Sequence, residues 1–285
     1  SLSDLFAQVR LGAEGVDAAL VKRATERVHL AATKVSDGKT TGQSGVQSFL
    51  VAYAMGFILY LAVLVYGQQT MVSVIEEKNN RIMEVLTSAL TPFQMLMGKV
   101  LGVGLAGLTQ MGIWAAAMFL LSHQQGALVG AFGADPAALG DFALPQVSGS
   151  LLLVFLLYFL TGFLLYGALY VAIGAVCNTV QETQQYGTLV TLFILVGFFA
   201  VFALIANPDA TVGRVFSWIP FFAPFTMPVR WSMVSVPGWE LALSMTLMLL
   251  GLVACVWLAA RIYRTGILMY GKRPGWKELW RWIRA

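Results

Sequence analysis

Five long apolar stretches, separated by short polar segments, dominate the hydrophobic pattern of the chain. The intervals that contain no Asp, Glu, Lys or Arg are 40–75, 100–134, 142–181, 183–208 and 241–260. Each interval reaches the roughly 20 residues that a helix needs to cross the hydrocarbon core of a bilayer. The pattern therefore predicts five membrane-spanning helices near residues 48–69, 100–121, 151–176, 185–206 and 241–261.

Composition supports the same fold class. Of 285 residues, 58% are hydrophobic and only 11% are charged, whereas soluble domains carry roughly 25% charged residues. We therefore expect an all-α integral membrane protein with about five transmembrane helices.

Basic residues indicate how these helices are oriented. If the 70–99 loop is cytoplasmic, ten basic residues lie on that side: Lys78, Arg81, Lys99, Arg261, Arg264, Lys272, Arg273, Lys277, Arg281 and Arg284. The short loops on the other side carry only Arg214 and Arg230. Six more basic residues precede residue 46, but long polar segments translocate largely regardless of their charge. The bias predicts a cytoplasmic C-terminus.

The most polar segment between two spans is "VIEEKNNRIMEVLTSALTPFQMLMGK" at 74–99. Its helical periodicity predicts an amphipathic helix at the inner surface. The apolar face comprises Val72, Ile75, Ile82, Met83 and Leu86. Glu77 and Arg81 are four residues apart, with the acid first, which is the arrangement that supports a helix.

A new helix is predicted to begin at "TPFQ". Thr91 is the expected N-cap, Pro92 the first helical residue, and Gln94 the partner that completes a capping box. Closely spaced glycines follow at 98, 102, 104 and 107, and small residues allow helices to approach closely in lipid. Gln110 then lies inside the span, where it has two interpretations: an interhelical hydrogen bond or a lining group of a transport path.

Residues 214–232 are apolar and aromatic, yet they contain Pro220, Pro224 and Pro228. Each proline removes a helical donor and clashes with the preceding turn. We therefore expect short broken helices at the outer face instead of one straight span. Non-helical backbone is tolerated there only where protein covers it or water reaches it.

The two ends of the chain have a different character. Residues 1–45 are predicted to be an extracytoplasmic segment, the end of an outside domain. Because the chain starts at Ser1 with no signal peptide or preceding span, we expect a fragment that lacks an N-terminal anchor. Residues 46–265 form the predicted transmembrane domain. In the tail, 266–285, "WKELWRWI" predicts a basic amphipathic helix on the anionic inner leaflet.

Motifs for independent chemistry are absent from the sequence. No G-x-x-x-x-G-K-[ST] loop, G-x-S-x-G elbow or H-E-x-x-H run occurs, and there are only two histidines. Cys177 and Cys255 lie in or beside spans, so we expect buried thiols and no metal site. No acidic residue lies in the middle of a span. Energy for transport would therefore have to come from a partner.

The segment "VIEEKNNRIMEVLTSALTPFQMLMGKVLGVGLAGLTQ" resembles permease subunits of ABC-2 type transporters, most closely the sodium-efflux (Nat-type) group. The resemblance covers this stretch closely and, in the order of elements, nearly the whole chain, except that a first span is missing. It implies a subunit of a prokaryotic inner (plasma) membrane exporter that is not itself an enzyme and has no cofactor of its own. ATP and Mg²⁺ would bind a separate ATPase subunit. The other implied partners are a second permease chain and the bilayer. The resemblance implies no binding of nucleic acid.

In that family the charged inner helix is a coupling helix that docks on the ATPase. The resemblance therefore makes six residues docking candidates: Glu76, Glu77, Lys78, Arg81, Glu84 and Leu86. Periodicity alone is equally consistent with a linker helix that lies on the lipid surface and docks nothing. Gln110, Pro220, Pro224 and Pro228 are candidates for a path or gate. The resemblance suggests Na⁺ as substrate; the alternatives are drugs or lipids, or a membrane anchor or sensor that transports nothing.

Overall fold

A computed structural model describes residues 33–36, 39–131, 147–207 and 210–267. Its first elements are two antiparallel strands, β1 (Thr33–Ser36) and β2 (Lys39–Ser44). They form a hairpin in the segment expected to lie outside the membrane. The earlier part of that segment and the tail beyond 267, with its expected basic amphipathic helix, lie outside the described residues.

The membrane part is all-helical, which confirms the predicted fold class. Its described helices are α1 (Gly45–Asn79), α2 (Ile82–Ala89), α3 (Pro92–Ala131), α4 (Gly149–Val176), α5 (Val180–Ala206), α6 (Thr211–Trp218), α7 (Ala223–Met233) and α8 (Gly238–Gly266). Five of them, α1, α3, α4, α5 and α8, are long and apolar enough to cross a membrane. The five predicted spans are confirmed, although the helices extend past the predicted bounds.

Helix α4 is the centre of the bundle. It packs against α1, α3, α5, α7 and α8 and is the most buried of the five long helices, whereas α3 and α8 face mainly outwards. One hydrophobic cluster joins α1, α4, α5 and α7. A second joins α1, α2, α3, α4 and α8 at the end of the bundle where α2 lies, here called the α2 end.

The proline-rich segment is broken, as predicted. Helix α6 ends at Trp218, a turn follows, and α7 begins at Ala223 with a proline in its first turn. The rings of Pro220 and Pro224 lie against glycines of the long helices: a Cβ built on Gly251 or Gly162 would come within 2.5 Å or 2.7 Å of them. Because only a hydrogen occupies each of those positions, the broken segment can pack deep into the bundle.

One element differs from the sequence interpretation. The amphipathic helix expected across 72–88 is interrupted: α1 continues to Asn79, and α2 starts afresh at Ile82. Between them Arg81 adopts a left-handed conformation, with φ 57°. The apolar face predicted across the break is therefore wrong at Ile82, which is exposed, while Ile75 and Met83 are buried.

Candidate functional site at the α2 end

The turn between α1 and α3 is a short, well-terminated structure. The amide of Arg81 donates to the carbonyl of Lys78 at 3.1 Å, which closes the end of α1. At the start of α3, the Thr91 amide donates to Gln94 Oε1 at 2.9 Å, and the Gln94 amide donates to Thr91 Oγ1 at 3.4 Å. This reciprocal pair confirms the predicted capping box. Helix α2 is thus held between two defined helix ends.

Lys78 lies inside the protein, not on its surface. Its side chain is 1% exposed, and Nζ donates to the carbonyls of Ala175 at 2.9 Å, Gly266 at 3.1 Å and Cys177 at 3.3 Å. These carbonyls end α4 and α8, where the backbone has unpaired acceptors and the helix dipole favours a cation. The prediction that Lys78 docks a partner is therefore wrong, because its ammonium is used within the chain.

Small residues explain why three helix ends converge there. A Cβ on Gly174 would meet the Met71 carbonyl oxygen at 2.7 Å, and one on Gly266 would meet the Ala175 carbonyl oxygen at 3.0 Å. The backbones of α1, α4 and α8 therefore approach closely. That approach brings the terminal carbonyls within reach of a single lysine.

Glu77 is also partly used within the chain. Its carboxylate lies 2.6 Å from Lys99 Nζ, which donates to Ser73 Oγ at 2.9 Å as well. The expected pairing of Glu77 with Arg81 does not form, because Arg81 follows the end of the helix. The Glu77 to Lys99 pair ties the last turn of α1 to the second turn of α3.

The remaining charged docking candidates belong to a set of exposed side chains on α2 and on the adjoining ends of α1 and α3. We call this the α2 surface; its charged members are Glu76, Arg81 and Glu84, and its apolar members are Ile82, Val85, Leu90 and Phe93. Val85 is 71% exposed. Leu86, the sixth candidate, is half-buried against the second hydrophobic cluster. The mixture of exposed apolar groups and charges is typical of a protein-binding surface.

The opposite face of α2 is anchored in the bundle. Met83 is buried, and the hydroxyl of Tyr263 in α8 lies 3.9 Å from its sulfur. Met83 belongs to the same cluster as Val74 in α1 and Ala172 in α4. A displacement of α2 would therefore act directly on these three long helices.

The path candidates lie elsewhere in the bundle. Gln110 accepts a short hydrogen bond from the Tyr66 hydroxyl, which joins α1 to α3 as the interhelical interpretation expected; its role in a transport path stays a prediction. Pro224 and Pro228 are buried and Pro220 is half-buried. Their role as a gate stays a prediction.

A buried ion pair is the main feature that the sequence interpretation missed. Arg230 of α7 donates from Nη2 to Glu240 of α8 at 3.0 Å, and each side chain is 2% exposed. Arg214 of α6 approaches the same carboxylate at 3.9 Å. The sequence interpretation counted Arg230 only as a basic residue of the short outer segments. The available signal was that Arg230 and Glu240 are the only charged residues between 215 and 260.

The two cysteine side chains lie inside the protein, as expected. Cys177 and Cys255 are both buried and unbridged, and burial raises the pKa of the Cys177 thiol to about 12. The described residues contain no group of three or more His, Cys, Asp or Glu side chains placed to hold a metal ion.

Comparison with known proteins identifies similar chains. The family model described as "ABC-2 family transporter protein" matches residues 13–261. The uncharacterized protein YhaP of Bacillus subtilis is 33% identical over 248 residues, which cover 86% of this chain and 58% of the relative. The uncharacterized protein MJ1024 of Methanocaldococcus jannaschii is 26% identical over 230 residues, covering 78% and 51%. The chain thus spans about half the length of these relatives. No solved structure matches.

Proposed function

Because this chain belongs to the ABC-2 family of transporter membrane proteins, we propose that it is the permease part of an exporter and that a separate ATPase subunit docks on the α2 surface. The observation that carries the proposal is the α2 surface itself: exposed apolar side chains lie beside exposed charges of both signs. ATP and Mg²⁺ bind the ATPase, not this chain.

The position of α2 favours a protein partner over lipid. Glu77 and Lys99 form an ion pair at the end of α1 that lies next to α2, and Arg81, Glu84 and Val85 follow after Glu77 along the chain. A helix lying on lipid would direct its apolar face to the bilayer and its charges to water. In α2, Met83 points into the protein bundle, while Val85 and Glu84 are exposed together.

In this proposal the coupling is mechanical. The ATPase moves α2 when it closes on ATP, and Met83 passes that displacement to α8 and α4. Lys78 keeps the ends of α1, α4 and α8 together, so the three helices move as one body. Such rigid-body shifts are a common form of transmembrane switching.

Two permease chains would pair, with the substrate path between them. Gly98 and Gly102 have nothing within 4 Å of a built Cβ, whereas Gly104 and Gly107 pack against Phe163. The first two glycines therefore leave a face of α3 on which a second chain could lie. Gln110 and the three prolines remain the proposed path and gate residues.

The docking step can be tested with two matched valines. The full-length protein would be co-expressed with a candidate ATPase subunit from the same genome, and co-purification measured for wild type, Val85→Ser, Val212→Ser and the charge reversal Arg81→Glu with Glu84→Lys. Val212 of α6 is 62% exposed at the opposite end of the bundle. We expect Val85→Ser and the charge reversal to weaken ATPase binding about tenfold or more, and Val212→Ser to bind as wild type. Undiminished binding by both α2 variants would refute the docking surface.

Substrate is a separate question, answered by reconstituting the complex in vesicles. Na⁺ is tested first because the resemblance suggests it; we expect ATP-dependent Na⁺ export that the charge-reversal variant loses. ATPase binding without Na⁺ movement would retain the permease and direct the search to drugs and lipids. ATP hydrolysis that no tested solute stimulates would favour an anchor or sensor subunit over a permease.

A further inference from the structure

A groove lies between α3 and α8 at the α2 end, here called the α3–α8 groove. Its volume is about 840 Å³, and its walls are almost entirely apolar. They include Phe93 and Val100 of α3, Leu164 of α4, and Leu252 and Val256 of α8. Exposed Phe93, Val253 and Trp257 at its mouth show that the groove opens to the outside of the bundle.

The length of the groove matches one leaflet. Along α8 it runs from Leu252 to Arg264, a rise of about 18 Å at about 1.5 Å per residue. Half of a hydrocarbon core is about 15 Å thick. The groove thus extends from the headgroup region to the middle of the bilayer, the depth that one acyl chain occupies.

Charge is confined to one end of this groove. Arg261 and Arg264 line the end nearest α2, and none of the described residues that line the groove is acidic. The guanidinium carbon of Arg261 lies 4.5 Å from the centre of the Trp257 ring. Tryptophan is enriched at the level of the headgroups, which fits the position of this end at the membrane surface.

We propose that the α3–α8 groove binds one anionic phospholipid from the leaflet at the α2 end. The headgroup phosphate pairs with Arg261 and Arg264, because guanidinium groups match phosphate oxygens in charge and geometry. An acyl chain lies along Val253, Leu252 and Leu164. The positive charge at the surface end and the apolar depth together select an anionic lipid over a zwitterionic one. Phe93 belongs to both the groove and the α2 surface, but the proposed headgroup and acyl-chain contacts use none of the α2-surface charges and do not involve the transported substrate.

The test uses the full-length protein with its partner in detergent, titrated with fluorescent phosphatidylglycerol or phosphatidylcholine. We expect tighter binding of phosphatidylglycerol. Two basic residues near an anionic headgroup account for about a 30-fold change, so Arg261→Gln with Arg264→Gln should weaken binding by about that factor. The control, Lys34→Gln with Lys39→Gln, removes the same charge in the β1–β2 hairpin and should leave binding within a few-fold of wild type. Equal losses in both double variants would overturn the site, since attraction would then depend on net charge alone.

A second pair of variants tests the apolar part. Val253→Trp fills the groove from a position 66% exposed, and Leu250→Trp adds the same side chain at a position 62% exposed outside it. We expect only Val253→Trp to abolish preferential binding of phosphatidylglycerol. If tail-free glycerol 3-phosphate displaces the lipid fully, the groove is not needed and the proposal fails. It also fails if Val253→Trp changes the oligomeric state on light scattering while lipid binding is unaltered, because the groove would then be an interface between copies.

Discussion

Lys78→Met isolates the contribution of the lysine that joins three helix ends. Methionine keeps an unbranched apolar chain of similar length, so the cavity is largely filled while the ammonium is lost. The Ala175, Cys177 and Gly266 carbonyls then lose a charged donor. Because the site is buried, water cannot simply replace it.

The expected loss of folding stability is the difference between two opposing contributions. Three hydrogen bonds to a charged donor contribute about 1.5–3 kcal/mol each, which gives about 5–9 kcal/mol. Removing the ammonium also removes its own burial cost of several kcal/mol. The net destabilisation is on the order of 3 kcal/mol, and it should lower the apparent melting temperature by about 6–12 °C.

The assay is size-exclusion chromatography of the detergent-solubilised protein after heating at graded temperatures. Lys99→Met is the matched control at the same end of the bundle. Its partner Glu77 is 30% exposed and can be hydrated, so we expect the melting temperature to fall less than for Lys78→Met. The two variants should also differ in ATPase stimulation, with Lys78→Met reducing coupling even at temperatures where it remains folded.

A melting temperature for Lys78→Met within about 2 °C of wild type would mean a difference of less than about 1 kcal/mol and would refute the reasoning. A fall in melting temperature no larger than that of Lys99→Met would also refute the reasoning. Either result would show that the three carbonyls do not depend on the ammonium.

Three further predictions follow from buried contacts. Glu240→Gln should destabilise the folded protein by about 3–5 kcal/mol, because it leaves Arg230 charged and buried without its carboxylate. The double variant Glu240→Gln with Arg230→Met should recover part of the lost melting temperature. If it recovers none, the pairing of the two residues is contradicted. Gly162→Leu should lower the yield of folded protein, since its Cβ would meet a proline ring of the broken segment at 2.7 Å, whereas Gly112→Leu, with nothing within 4 Å of a built Cβ, should be tolerated; similar yields would contradict the packing. Maleimide labelling of Cys177 should be slow at pH 7.5 and still rise with pH above 9, because its raised pKa keeps the thiol neutral; rapid labelling of the folded protein would contradict its burial.

Local chemistry explains the features that were predicted correctly. The charge-free apolar stretches locate the five long helices because a bilayer excludes charge over a known thickness. The capping box at Thr91 and Gln94 forms because both partners lie within one turn. Pro220 lies in the break between α6 and α7, and Pro224 lies in the first turn of α7, where a missing donor costs little, although α7 continues through Pro228. In each case the determining groups are near neighbours in the chain.

The failures involve either partners that are distant in sequence or the helix break at Arg81. Lysine is usually a surface residue, yet Lys78 donates hydrogen bonds to carbonyls 97 to 188 positions away in the sequence. Glu77 was paired with Arg81 by spacing, but the left-handed turn at Arg81 leaves Lys99 as its nearest cation. A helical wheel assumes a continuous helix, so it could not show that α1 ends at Asn79.

The sequence alone therefore determined that this protein crosses a membrane with five helices and a charged turn between the first two, because hydrophobic period and turn chemistry act over short distances. Tertiary structure decided which charges of that turn remain at the surface. Glycines at 174 and 266 allow three helix ends to converge, and that convergence draws Lys78 inside while it leaves Glu76, Arg81 and Glu84 exposed. Close approach of backbones depends on how whole helices pack, and no local pattern encodes it.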